Sequence, residues 1–202
     1  MVIMRDSVQT RSVRDAILDA TDRLLTRFGY KKMTIDDLAQ EVGIGKGSVY
    51  LHFESKEEIA LSHIDRIIER LKRSLTAIAA KPIAADERLR LMLIERVLFR
   101  FDSVQHYSKS LNDLLAYIRA SLLERRKVYF EEEARIFAKV IEEGTAAGVF
   151  RDVRALETAR TILLTTNSLL PYSLSPEELG KRSDINRKTV EIAELILSGM
   201  HA

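Results

Sequence analysis

The stretch Thr34–Glu58, TIDDLAQEVGIGKGSVYLHFESKEE, holds the strongest structural signals in the chain. Ile35 and Leu38 are spaced to share one face of a short helix. Val49 and Phe53, four residues apart, would both face inward from a second short helix. Between these two segments lie three glycines, so the stretch predicts two short helices joined by a glycine-marked turn.

Capping residues mark the ends of these helices. Thr34 can cap the first helix, and Asp37 three residues on completes a weaker form of the capping box. Gly43 stands where a left-handed residue commonly ends a helix, and Gly45 precedes the second helix as an N-cap without a side-chain acceptor. Ser55–Glu58 is a full capping box, S-x-x-E, which predicts the start of a third helix.

The second short helix carries polar, basic and aromatic side chains away from Val49 and Phe53. A helix that reads DNA needs donors and acceptors against base edges in the major groove, and hydroxyls, amides and cations for phosphates. The glycines near its start would allow the backbone to come close to DNA. We therefore expect a helix-turn-helix that binds double-stranded DNA. The expected DNA-binding residues are Thr34, Lys46, Gly47, Ser48, Tyr50, Leu51, His52 and Lys56.

The block G-I-G-K-G-S-V-Y-L-H-F-E-S-K-E-E-I, Gly43–Ile59, resembles the recognition-helix signature of the TetR family of transcriptional regulators. Residues from Ile17 to Gly29 resemble the first helix of that family. The family commonly has Ser or Thr where this chain has Gly45, so Gly45 is assigned no side-chain role. The resemblance implies a ligand-responsive repressor that binds a palindromic operator as a homodimer and is released by a small-molecule inducer.

The composition limits the function further. The chain has 202 residues and a net charge of only +2, so DNA affinity must come from the local placement of charge. Cysteine is absent, which excludes disulfides, thiol nucleophiles and zinc-finger sites. No apolar run approaches the roughly 18 residues that suggest a membrane helix, and the start of the chain lacks the apolar region of a signal peptide. These features favour a cytoplasmic protein with no membrane partner.

In the rest of the chain the apolar residues have helical spacing, and proline is scarce. Helices are expected over about residues 55–80, 85–101 and 184–198, with two helices or one bent helix over about 107–147. Asp152 can cap another helix that runs to Pro171, and Ser175–Glu178 is typical of a short helical turn. The predicted fold is all-α. An N-terminal three-helix DNA-binding domain with the helix-turn-helix occupies residues 1–54, and a helical ligand-binding and dimerisation bundle occupies 55–202.

Two late apolar stripes are candidates for a dimer interface. The resemblance implies it, since such regulators pair their last two helices into a four-helix interface. One short recognition helix reads few bases, so two-fold pairing would double the site, with half-sites spaced by a helical turn of about 34–36 Å. The alternative is that both stripes only face the core of their own protomer. The interface candidates are Ile162, Leu163, Thr166, Leu169, Leu170, Ile192, Leu195 and Ile196.

A small-molecule pocket between Ser55 and Ala147 is implied by the resemblance. Arg96 and Arg100 lie one helical turn apart and could hold an anion, but a solvated face with partners such as Glu95 is the alternative. For the aromatic candidates the alternative is plain core packing. A lipophilic effector is favoured because the candidate walls are mostly Leu, Ile and Phe. The pocket candidates are Arg96, Arg100, Phe101, Tyr107, Tyr117, Phe130, Phe137 and Asn167.

Two other classes of function compete with DNA binding. An enzyme has little support, because the chain lacks a glycine-rich phosphate loop, G-x-S-x-G and H-E-x-x-H. His63 and His106 have no partner at metal-ligand spacing, so no metal and no cofactor is expected. The remaining alternative is a helical scaffold whose helix-turn-helix binds protein. The nearly acid-free surface between Gly43 and Lys56 argues against that scaffold.

Overall fold

The computed structural model describes residues 2–171 and 180–202, with the backbone alone for residues 2–12, 108 and 109. The described residues form α-helices joined by short turns, without a strand element, and this confirms the all-α prediction. None of the described helices combines the length and the apolar character needed to cross a membrane. The helices are α1 (Val2–Lys32), α2 (Ile35–Val42), α3 (Lys46–Tyr50), α4 (Lys56–Ala79), α5 (Ala85–Val104), α6 (Ser108–Ala146), α7 (Ala155–Thr166) and α8 (Arg182–Met200).

The chain is divided into two compact units. The first contains the residues up to Arg66 together with His106–Leu122, and the second contains Ile67–Gln105 and Leu123–Ala202. Helices α4 and α6 therefore contribute residues to both units. The functional division expected from the sequence, with DNA binding before residue 55 and ligand binding after it, stays a prediction.

The core of the first unit is formed by the inner faces of its helices, and α2 packs against both α1 and α3. Gly29 interrupts the helical geometry of α1 with a φ of 72° and a ψ of 168°. A Cβ at this position would lie 2.9 Å from Ser110 Cβ, so the backbone angle and the close approach both require glycine. The buried core of this unit includes Ile17, Leu18, Leu25, Leu38, Val49, Phe53 and Ile59.

The second unit has its own apolar core, to which α4, α5, α6, α7 and α8 all contribute. Phe150 lies directly against Gly144 near the end of α6, where a Cβ would overlap the phenyl ring. Gly148 then ends α6 with a φ of 71°, as the sequence predicts. The buried core of this unit includes Leu71, Leu89, Leu93, Phe137, Ile141, Leu163 and Leu197.

The structure decides between the two alternatives over about residues 107–147, and it corrects one predicted cap. Residues 108–146 form one helix, because neither proline nor glycine interrupts that sequence before Gly144. The expected cap at Asp152 is wrong, since α7 begins at Ala155 and Arg154 occupies the N-cap without a side-chain hydrogen bond. The turn expected at Ser175–Glu178 lies outside the described residues.

Candidate nucleic-acid interface

A reciprocal capping box holds the start of α2. The Asp37 N–H donates a hydrogen bond of 3.1 Å to Thr34 Oγ1, and the Thr34 N–H donates one of 2.8 Å to Asp37 Oδ2. The Thr34 hydroxyl also donates to Asp37 Oδ2 at 2.7 Å, and these bonds lower the pKa of Asp37. The capping predicted from the sequence is confirmed. Thr34 is exposed, but any phosphate contact would share a hydroxyl that already caps the helix.

Glycines form the turn between α2 and α3. Gly43 is left-handed, with a φ of 76°, and its N–H donates to the Gln40 carbonyl at 3.2 Å. The Ile44 N–H donates to the Ala39 carbonyl at 2.9 Å, so two carbonyls in the last turn of α2 have hydrogen-bond donors beyond the helix. Gly45 is extended and caps α3 without a side-chain hydrogen bond. Both glycine roles predicted from the sequence are confirmed.

Helix α3 is anchored on one side and open on the other. Val49 and Phe53 are buried, as predicted, and fix the helix to the core of the first unit. A Cβ at Gly47 would meet nothing within 4 Å, so packing among the described residues does not require glycine there. The expected DNA-binding residues of this segment are exposed at Lys46, Gly47, Tyr50 and Leu51 and half-buried at Ser48 and His52.

The cation at the start of α3 has an acidic partner. Lys46 Nζ donates a hydrogen bond of 2.8 Å to Asp36 Oδ2 in the first turn of α2. That hydrogen bond, followed by the charge of Asp36, raises the pKa of Lys46. Both side chains are exposed. The sequence pattern does not predict this contact, because the two residues lie on different helices.

Lys56, at the start of α4, is positioned by the end of α1. Its Nζ lies 4.4 Å from the centroid of the Tyr30 ring and donates to the Lys31 carbonyl at 3.4 Å. Burial lowers the pKa of Lys56, whose side chain is half-buried. Lys31 Nζ in turn lies 3.4 Å from Asp113 Oδ1, a residue 82 positions later. Such long-range partners leave no local sequence signal.

Two of the expected pocket residues meet in a buried charge cluster in the second unit, which we call the Arg96–Glu133–Arg100 cluster. Arg96 Nε donates to Glu133 Oε2 at 2.8 Å, and Arg100 pairs with the same carboxylate. Burial disfavours the charge on Glu133, but the charges of Arg100 and Arg96 outweigh it and lower the pKa of Glu133. Arg96 also donates to Asn167 Oδ1 at 2.9 Å and to Thr166 Oγ1 at 2.5 Å. The alternative of a solvated face for these arginines is therefore wrong.

The aromatic pocket candidates are spread over both units. Phe101 and Phe137 are buried in apolar clusters of the second unit, and Phe130 packs partly buried against the same core as Phe137. Tyr107 is buried in the first unit. Tyr117 is 57% exposed, and its ring centroid lies 5.5 Å from that of Tyr30. Core packing thus accounts for Phe101 and Phe137.

The expected dimer stripes are mostly covered within the protomer. Leu195 is 76% exposed, and the neighbouring Ile192 and Ile196 on α8 are half-buried. Leu164, which the sequence interpretation passed over, is 60% exposed on α7. These side chains remain available to a partner. The expected interface residues that the protomer itself buries are Ile162, Leu163, Thr166, Leu169 and Leu170.

Residues 17–62 match the model of the family described as bacterial regulatory proteins, tetR family. This span includes α2, α3 and the start of α4. Over 150 residues the chain is 29% identical to the HTH-type transcriptional repressor KstR2 of Mycolicibacterium smegmatis, covering 71% of this chain and 70% of that protein. It is 23% identical over 194 residues to the fatty acid metabolism regulator protein of Bacillus subtilis, covering 92% and 94%.

The fold is also similar to that of a solved TetR transcription regulator from Haloarcula marismortui. The TM-score is 0.75 at 21% sequence identity, and the match covers 95% of this chain and 100% of the other chain. The helix-turn-helix, its exposed recognition face and the helices that follow therefore agree with the family model and with a known fold. The matched segment, residues 17–62, belongs to the TetR family of bacterial regulatory proteins, and the chain is a DNA-binding transcriptional regulator.

Proposed function

We propose that the chain is a ligand-responsive transcriptional repressor, not an enzyme, that acts in the cytoplasm on a palindromic operator. The observation that carries the proposal is the arrangement of α3. Val49 and Phe53 anchor it, while Lys46, Tyr50 and Leu51 stand exposed. A short helix held rigidly from behind can present these groups to a major groove about 12 Å wide. The similarity to KstR2, a transcriptional repressor, supports repression as the outcome.

The exposed groups divide by the contacts that their chemistry favours. Lys46 begins α3 and suits a guanine edge, which presents two acceptors in the major groove. Tyr50 and Lys56 carry a hydroxyl and an ammonium group that suit phosphate oxygens. Ser48, His52 and the expected Thr34 contact complete the proposed interface, with the backbone at Gly47 coming close to the DNA.

A homodimer is part of this proposal. Helix α3 spans only five residues, Lys46–Tyr50, and one such helix reads few base pairs. Two copies on one face of the DNA would read two half-sites about 34–36 Å apart. We place the interface on the exposed part of α7 and α8, around Leu164 and Leu195, together with the half-buried Ile192 and Ile196.

A small-molecule effector completes the proposal. We place its site in the second unit, near the Arg96–Glu133–Arg100 cluster, Asn167 and the aromatic side chains Phe101, Phe130 and Phe137. A lipophilic effector agrees with the apolar residues around that cluster and with the name of the Bacillus subtilis relative, a fatty acid metabolism regulator. Such a ligand can lower operator affinity only if it binds the two states of the protein with different affinity.

The test begins with genomic fragments that the purified protein selects. Binding to a selected fragment should weaken steeply with salt, because phosphate contacts release counterions. Tyr50→Phe and Lys56→Ala should weaken binding similarly on all sequences. Lys46→Ala should cost about 1–3 kcal/mol and alter the preference at one base pair. Selection of no fragment would overturn the proposal in favour of a scaffold that binds protein.

The dimer is tested separately by sedimentation at micromolar concentration. We expect a dimer, and we expect Leu195→Glu to shift it toward a monomer with weaker operator binding. A wild-type monomer that still binds its operator tightly would overturn the dimer model while leaving DNA binding intact.

A further inference from the structure

Leu51 is the most exposed large hydrophobic side chain among the described residues, with 84% of its surface accessible. Single exposed leucines are common on protein surfaces and need no explanation by themselves. The position of Leu51 is what sets it apart. It caps the carboxyl end of α3, the helix that carries the proposed DNA contacts.

The direction of the Leu51 side chain is set by its neighbours. Val49 and Phe53, two residues to either side, are both buried. Since successive helical residues are rotated by about 100°, a residue two positions from each of them points away from the core. Leu51 also keeps helical backbone angles, with a φ of −68° and a ψ of −21°, and its N–H donates to the Gly47 carbonyl at 3.2 Å. The side chain is therefore presented from ordered helical backbone.

The chemistry of Leu51 and its neighbours limits which group of the DNA Leu51 can contact. Lys46 and Tyr50 on the same helix are exposed and can form hydrogen bonds with phosphates or base edges. Leu51 can form none. The one apolar group that base pairs present in the major groove is the C5 methyl of thymine. Contact with that methyl would remove apolar surface of both partners from water.

We propose that Leu51 is a specificity-determining residue that packs against the C5 methyl of one thymine in each operator half-site. The inference rests on the proposed DNA-binding function and adds a base preference to it. It requires a thymine at one fixed position on each side of the two-fold axis. The preference comes from one methyl group and is independent of the hydrogen bonds made by Lys46.

The test uses the full chain and duplexes that the wild-type protein enriches from a randomised DNA pool. Each thymine of an enriched duplex is replaced in turn by deoxyuridine, which removes the methyl and keeps every hydrogen-bonding group. At one position per half-site we expect binding to weaken about fourfold, the effect of exposing one methyl-sized apolar group. Leu51→Ala should bind the thymine and uracil duplexes equally at that position.

The matched control is Leu123→Ala, which truncates an exposed leucine on α6. It should keep the wild-type sensitivity to deoxyuridine. The wild-type comparison needs no variant, so a folding defect in Leu51→Ala would not decide the result. If the wild-type protein binds every deoxyuridine duplex as tightly as its parent, the role of Leu51 is overturned while DNA binding stands. If no duplex is enriched, DNA binding itself is overturned.

Discussion

Lys46 Nζ and Asp36 Oδ2 lie 2.8 Å apart, so the first residue of α3 is held by the first turn of α2. Both side chains are exposed, and an exposed ion pair contributes little to stability because water solvates each charge well. The pair therefore matters more for binding than for folding. In the free protein the Asp36 carboxylate therefore pairs with the Lys46 ammonium group, which DNA would contact in the complex.

We expect Asp36→Asn to strengthen DNA binding about fivefold. The substitution removes both a competitor for Lys46 and a negative charge close to the phosphates. The slope of log affinity against log salt should steepen by up to about 1, because one negative charge no longer opposes the neutralisation of the phosphates. Equilibrium binding over a series of salt concentrations measures both effects.

Asp152→Asn is the matched control, since it removes an exposed acid from the second unit. It should change operator affinity far less than Asp36→Asn. Weaker binding by Asp36→Asn would mean that the carboxylate orients Lys46 for DNA instead of competing with it.

Gly47 allows stability and binding to be separated. A Cβ at this position meets nothing within 4 Å, and the residue lies inside α3. Gly47→Ala should raise the free energy of unfolding by about 0.5–1 kcal/mol, because alanine loses less backbone freedom on folding. The same methyl group should weaken operator binding about tenfold if the backbone of α3 lies against DNA.

Chemical unfolding and operator binding are measured on the same variant. Gly199→Ala, another helical glycine with open space around its Cβ, gauges the stability gain away from α3. Unchanged operator affinity in Gly47→Ala would show that the backbone at this position stays clear of the DNA.

The features that the sequence predicted well are local ones. The capping box of Thr34 and Asp37, the left-handed Gly43 and the inward Val49 and Phe53 all depend on residues within four positions of one another. The interactions that form them join residues close in sequence, so the sequence pattern alone is sufficient to predict them. The outward face of α3 followed directly from those inward residues.

The features that it could not predict depend on distant partners. Arg96 and Glu133 are 37 positions apart, and charged side chains such as these are ordinarily expected to be exposed to solvent. An apolar stripe also looks the same whether it faces its own core or another protomer. For that reason the sequence pattern does not distinguish the buried Leu163 and Leu170 from the exposed Leu195 as interface candidates.

His63 predicts a loss of stability in mild acid. It is buried on α4, with its Nε2 3.6 Å from Asp22 Oδ1, and burial lowers its pKa to about 4 even though Asp22 acts in the opposite direction. The folded protein therefore holds the neutral imidazole, while the unfolded chain protonates it near the ordinary pKa of about 6.5. Since protons bind the unfolded state better, the stabilisation is complete above about pH 6.5 and declines as the pH falls toward 4.

The difference between wild type and His63→Leu isolates this contribution from all other titrating groups. Between about pH 7 and about pH 5, the wild-type free energy of unfolding should fall by about 2 kcal/mol more than that of the variant. Urea unfolding at a series of pH values measures the difference. If the free energies of unfolding of the two proteins change in parallel with pH, His63 is protonated as easily in the folded protein as in the unfolded chain.

The carboxylates Glu131 and Glu133, two positions apart on α6, provide a matched test of burial. Glu133 is fully buried between Arg96 and Arg100, whereas Glu131 pairs with Arg160 at 2.7 Å at a partly exposed position. Glu133→Gln removes the charge that compensates two buried guanidinium groups, and we expect it to cost about 3–5 kcal/mol of stability. Glu131→Gln leaves its arginine free to be solvated, so the free energy of unfolding should change little. Urea unfolding of both variants at neutral pH decides the point. Equal effects would mean that water or another group reaches the Arg96–Glu133–Arg100 cluster and replaces the missing charge, which would make the cluster accessible to an effector.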